Sequence, residues 1–285
     1  MMLTKRHRYL ARLLHGAILS LLLLAASRMN LLPTAWEEQI PTDSVANTTA
    51  TIALPELPDF AAIGDIDAKK KAFFDYLQPY VDAQNQRVSR QRMKLEKIIS
   101  KVEDAVPLGT EDQIFLRALA KTYGVHANDH DDLATLHSLL HRVDVIPPSL
   151  ALAQAANESA WGTSRFALEG YNLFGQWCYR EGCGLVPERR QPAAYHEVQS
   201  FPSVEDAVDA YFMNINTFET YHKLRSIRHQ LRERKAPIDG ISLAEGLNGY
   251  SERGAAYIHE LRAMINQNDL LRRDFQEDLA DTRTY

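Results

Sequence analysis

Cysteine is nearly absent from this chain: Cys178 and Cys183 are the only two in 285 residues. That excludes a disulfide-stapled scaffold and any multi-cysteine metal cluster. The pair can still close one small loop in an oxidising compartment, whereas two thiols without nearby histidine make a weak metal site. Long apolar runs are scarce as well. The one that stands out, Ala17 to Ala26, has ten residues, too few to cross a hydrocarbon core comfortably. Positive charge is in short supply where nucleic acid would need it. Four of the 32 basic residues (Lys5, Arg6, Arg8 and Arg12) fall in the first 27 positions, which hold no acid. The remainder therefore sets 28 basic groups against 37 acidic ones, a net charge of −9, which argues against binding a phosphate backbone. Phosphate-cradling fingerprints are missing too, since Gly182-Cys183-Gly184 alone matches neither a P-loop nor a dinucleotide site. What is present is ordinary globular material. Hydrophobic residues at 45 %, charged at 24 % and aromatics at 9 % suffice for a sizeable core and exclude a disordered chain.

A basic start, a short apolar stretch and the small residues Ala25-Ala26-Ser27 predict an export signal over 1–27, cleaved or retained as an anchor. No cysteine lies near the junction for lipid attachment. Residues 28–66 carry Pro33, Pro41, Pro55 and Pro58 with no sustained period and read as a linker. Helices dominate thereafter, and residues 67–143 form a helical N-terminal region. Leu77, Val81, Val88, Leu95, Ile99 and Val102 recur at helical steps, with a kink or fresh start expected at Pro79 and an end at Pro107 and Gly109. Further helices are expected over 111–123 and 131–143.

Residues 144–270 read as a second helical domain, and 271–285 as a tail. Pro147-Pro148 open a helix that runs to Glu158, with Gly162 as its stop and Thr163 or Ser164 capping the next. Strand pieces are expected at 176–179 and 195–201, then helices from Val204 and Ala255. Glu158 ends an apolar helix three residues before Trp161. Desolvation against that wall and the negative end of the helix dipole should both raise its pKa. A carboxyl kept protonated near neutrality is what general-acid attack on a glycosidic oxygen requires. A solvated glutamate at a helix end is the plainer alternative.

Glu158-Ser159-Ala160-Trp161-Gly162-Thr163-Ser164 followed by Asn172-Leu173-Phe174-Gly175 resembles the signature of the bacterial glucosaminidases, glycoside hydrolase family seventy-three. The segments Phe201 to Tyr211 and Tyr250 to Tyr257 are similar to two further family motifs. The resemblance spans about 145–267. It implies a mainly α fold, with a lysozyme-like α-lobe and a small β-containing lobe preceded by additional helices. It also implies cleavage of peptidoglycan β-1,4 bonds on the reducing side of N-acetylglucosamine, without metal or cofactor. The export signal places the protein, as an expectation, in the periplasm or anchored in the inner membrane facing it. Glu158 becomes the general acid, and Tyr250 the tyrosine facing the site, or else a loop aromatic under the last helix. Trp161, Phe174, Trp177 and Tyr257 would wall the sugar groove. Asn172 would either touch sugar or hold its turn. The family's second acidic residue, in a T-E-Y-like strand, has no clear match; Glu181 and Glu188 are the candidates, with Glu188 preferred for lying beyond the cysteine loop.

Two rivals stay open: a lytic transglycosylase, which usually continues toward G-L-M-Q, and a non-catalytic wall-binding or morphogenesis factor. His137 and His141, with His126 and His130 nearby, lack the glutamate of a zinc-protease string and read as the polar side of a helix. The basic run Arg225 to Lys235 reads as a solvated helix face.

Overall fold

The computed structural model describes residues 57–126, 132–188, 190 and 195–279. The export segment, residues 28–56 of the linker, His130 and the last six residues lie outside them.

Asp65 caps the longest helix, α1 (Ile66–Glu103), by accepting from the Ala68 N–H at 2.7 Å. It runs unbroken through Pro79, where a kink or restart was expected. Proline removes one ladder bond, but Phe73, Phe74, Leu77 and Val81 on both sides of it are buried and keep the helix continuous across the defect. The linker expectation also yields at its end: Phe60, in a short 3-10 turn capped by Asp59, is 1 % exposed and anchors residues 57–66 to the core. Without a periodic pattern around it, one aromatic anchor leaves no signal in the sequence.

Helices α2 (Thr110–Thr122) and α3 (Leu133–Arg142) follow close to their expected bounds. Helix α4 (Pro148–Glu158) is the centre of the molecule. Every residue from Pro148 to Ala156 is buried, because α1, the C-terminal helices and the final 3-10 segment (Leu270–Leu279) surround it. Past its cap at Ser159 the chain turns sharply, with Ala160, Trp161 and Gly162 all at positive φ. Gly162 is required there. A Cβ on it would come within 2.7 Å of the Phe60 ring.

Helix α5 (Arg165–Gly170), capped by Ser164, leads into a three-stranded antiparallel sheet, β1 (Trp177–Cys178), β2 (Gly184–Leu185) and β3 (Glu197–Gln199), in the order β1-β3-β2. The register sets Trp177 opposite Val198 and Gly184 opposite Gln199. The Cys178–Cys183 disulfide closes the turn between β1 and β2. Strand β2 was not anticipated, since two residues carry no alternation to read.

Helices α6 (Val204–Thr217), α7 (His222–Glu233), α8 (Gly240–Ala244) and α9 (Ala255–Gln267) complete the fold. One apolar cluster runs from Phe60 through Leu77, Leu150 and Phe212 to Leu270, so residues 67–143 share their core with 144–270. The molecule is mainly α with a small β-lobe, as the resemblance implied.

The basic face expected over 225–235 is not simply solvated. Arg225 and Arg228 are 3 % and 0 % exposed. Arg225 donates to the carbonyls of Ile215 and Phe218 at the end of α6, and Arg228 to that of His141 in the last turn of α3 and those of Asp144 and Val145 just beyond it. Helix ends leave such carbonyls without partners, and a guanidinium supplies several donors at once. Buried Asp144 balances the charge, meeting Arg92, Arg228 and Arg232.

Candidate active site

Glu158 occupies the last turn of α4, half-buried, so its carboxyl is desolvated yet reachable from outside. Burial pushes its pKa up, against a downward pull from a Tyr257 hydrogen bond and the nearby Arg253 guanidinium. The wall that desolvates it differs from the one expected. Chain reversal at Ala160 and Trp161 breaks the helical spacing, and the Trp161 ring lies edgewise against Phe73 and Phe74, 6.0 and 5.3 Å between centroids. Gly175 takes the place beside the carboxyl instead: a Cβ there would stand 3.1 Å from Oε2 of Glu158. Its φ of +64° and this close approach both call for glycine at the end of the Asn172–Gly175 segment.

Asn172, 2 % exposed, holds that segment in place. Its amide donates to the carbonyls of Gln176 and Gln199 and accepts from the Gln176 N–H, fastening the turn to β3. Of its two expected roles, the turn is the one its burial permits. Phe174 is 1 % exposed and stacks on Tyr211 at 4.1 Å, so it offers no surface to a sugar ring. Tyr257 is 0 % exposed and lies beneath Glu158 rather than in a sugar wall. Both corrections have one reason: aromatic residues at a helix–loop junction gain more from core burial than from solvent. Tyr250 stacks on Tyr257 with planes 4° apart and donates its hydroxyl to the Phe174 carbonyl at 2.7 Å. That is the arrangement of an aromatic packed under the last helix, although its ring stays partly exposed close to Glu158.

Trp177 alone of the expected sugar wall is broadly open, at 52 % exposed, and stacks on His196 at 4.1 Å. Glu181 and Glu188 are both exposed, the first in the disulfide loop, the second after β2. A third β-lobe glutamate went unnoticed in the sequence. Glu197 is 4 % exposed and accepts from the N–H groups of Gly182 at 3.1 Å and Gly184 at 2.8 Å. Those donors hold its carboxyl below its ordinary pKa and tie the disulfide loop to β3. Glu197 also lies near both sulfurs, but these are bonded to each other and cannot serve as thiolate ligands. His141 is half-buried and lies against His229, 3.9 Å between ring centroids with the planes tilted by 35°, while His137 is exposed.

Arg253 and Glu260 were also missed. They pair with each other at 2.5 Å, and both act electrostatically on Glu158, Arg253 lowering and Glu260 raising its pKa. Asn157 fits between them with its oxygen toward Arg253 and its nitrogen toward Glu260. The signal available was spacing: Glu260 follows Tyr257 by three positions on one face of α9.

Comparison with known proteins agrees with the motif reading. Residues 134–270 match the glucosaminidase family, described as mannosyl-glycoprotein endo-β-N-acetylglucosaminidase. Over 215 residues the chain is 34 % identical to the protein bax of Escherichia coli (strain K12), covering 75 % of each chain. The catalytic domain of the autolysin Auto from Listeria monocytogenes aligns over 78 % of this chain and 92 % of its own, at 17 % identity and a TM-score of 0.39. Identity and coverage to the curated relative, together with the family match across the region that carries Glu158, make this chain a member of the glucosaminidase family and a glycoside hydrolase.

Proposed function

We propose that the protein hydrolyses peptidoglycan, cutting the β-1,4 bond on the reducing side of N-acetylglucosamine, with Glu158 as the general acid. One observation carries the reading. Glu158 is a half-exposed carboxyl that burial pushes upward, and of the carboxyls so raised, Asp209 and Asp274 among them, it is the one at the position of the family's glutamate. Protonated Glu158 gives its proton to the glycosidic oxygen as the bond from the anomeric carbon to that oxygen breaks. Positive charge then develops at the anomeric carbon, and water adds its hydroxyl there while its remaining proton passes to a carboxylate of the site. Glu188, exposed in the β-lobe, is the carboxylate we assign to the opposite side of the reaction; the substrate's own acetamido oxygen is the competing nucleophile. Trp177 on its His196 platform offers an aromatic face to a sugar ring.

We further propose that the protein works outside the cytoplasm, in the periplasm or held to the inner membrane by residues 1–27. The disulfide supports an oxidising compartment. Among the described residues no helix is long and apolar enough to cross a membrane.

Mass spectrometry of sacculi digested with the purified protein tests the reading. Reducing N-acetylglucosamine ends are expected. Anhydro-muramyl ends would identify a lytic transglycosylase instead, and binding to sacculi without release of muropeptides would identify a non-catalytic wall factor.

A further inference from the structure

Gln154 is an anomaly in α4. It lies one turn before Glu158 among Leu150, Ala151, Leu152, Ala153, Ala155 and Ala156, and it is 0 % exposed. A buried amide costs stability unless its donors and acceptor are bonded. Its oxygen accepts from the Tyr211 hydroxyl at 2.7 Å, and its nitrogen donates to the Tyr257 oxygen at 3.1 Å. Tyr211 and Tyr257 are likewise 0 % exposed, so within this chain each proton must go to a protein acceptor. The order of donors follows. Tyr211 occupies the amide oxygen, which leaves the amide nitrogen to face Tyr257. The Tyr257 oxygen thereby becomes an acceptor from Gln154, and its own proton is left for the neighbouring Glu158 carboxyl, whose pKa it lowers. Ring stacking holds both ends, Phe174 on Tyr211 and Tyr250 on Tyr257, and the Tyr250 hydroxyl on the Phe174 carbonyl joins the two stacks.

We propose that Gln154 and Tyr211 are positioning residues that aim the Tyr257 hydroxyl at Glu158, ready to stabilise the carboxylate left when Glu158 gives up its proton. This rests on Glu158 being the acid of the proposed reaction. A donor oriented before the reaction needs no rearrangement at the moment charge develops. In the resting state the same donor limits how far burial can hold the proton on Glu158.

The test uses the full chain and three variants, Tyr257→Phe, Gln154→Met and Tyr211→Phe. Glu158 is titrated by carbon-13 NMR of labelled glutamate carboxyls, its signal identified by its absence in Glu158→Gln. Tyr257→Phe should move the titration upward by on the order of one pH unit. Gln154→Met should move it the same way by less, and Tyr211→Phe least. On sacculi, Gln154→Met should lower kcat about tenfold with KM unchanged, and carry the alkaline limb of activity upward with the titration. A general core role would lower thermal stability and leave the Glu158 titration where it was. An unmoved titration in Gln154→Met overturns the proposal; should that variant fail to fold, an unmoved titration in Tyr211→Phe does so. Graded titration shifts in a protein that releases no muropeptides would instead refute the hydrolase reading and leave the relay standing.

Discussion

Glu158 and Glu197 are both withdrawn from water, one at the end of the central helix and the other in the β-lobe, and their protonation is driven in opposite directions. Glu158 has a glycine, a tyrosine hydroxyl and the Arg253 guanidinium for company, and burial wins. Glu197 takes N–H groups from Gly182 and Gly184, and these favour its charged form. Burial by itself therefore does not make an acid; what matters is how many donors accompany it. The helix end supplies none from its own backbone, because the last turn of a helix presents carbonyls. A tight turn such as Gly182–Gly184 presents N–H groups, and a carboxylate there is a fastening.

The largest effect that contrast predicts comes from Glu158→Gln. Turnover should fall by roughly 10³-fold or more, since the proton donor is gone. Thermal stability should stay level or rise slightly, because a raised carboxyl pKa works against the folded state as pH climbs past 4.5. A large drop in melting temperature with retained activity would make Glu158 structural. Next is Gly175→Ala, which adds a methyl 3.1 Å from the Glu158 oxygen at a left-handed φ. It should cost about 1–2 kcal/mol of stability and reduce kcat by roughly tenfold to a hundredfold, measured by chemical denaturation and muropeptide release. Glu197→Gln should have the smallest effect on activity, at most a few-fold, with the pH profile unmoved, and should instead lower the melting temperature. Its sign with pH is opposite to that of Glu158. A depressed carboxyl contributes stability above its unfolded value and loses it on acidification, so wild type and variant should converge as pH falls below about 4.5. Equal loss of turnover in the two glutamine variants would erase the distinction between acid and fastening.

Much of the helical framework was legible because helices are local. Periodicity and caps located α2, α3, α4, α6 and α9 to within a few residues, and the cysteine spacing pointed to the loop that the disulfide closes. Asn172, left between sugar contact and turn in the sequence, holds the turn through a partner, Gln176, only four residues away. Phe174 and Tyr257 were misplaced on a sugar wall because an aromatic at a loop junction looks the same whether it faces solvent or core. Glu197 was hidden in a strand of three residues, too short for alternation to separate an inward side chain from an outward one.

By itself, then, the sequence determined where most of the helices lie, that Glu158 ends an apolar one, and which family its motifs resemble. These are properties of neighbours along the chain. Only the tertiary structure decided what surrounds Glu158. Gly175 comes from the loop after α5, Arg253 from the turn before α9, and Tyr257 meets Gln154 from 103 positions away, as Tyr211 does from 57. No local pattern encodes such meetings. They arise when several helices bury one core, and the polar groups caught inside must find their partners there.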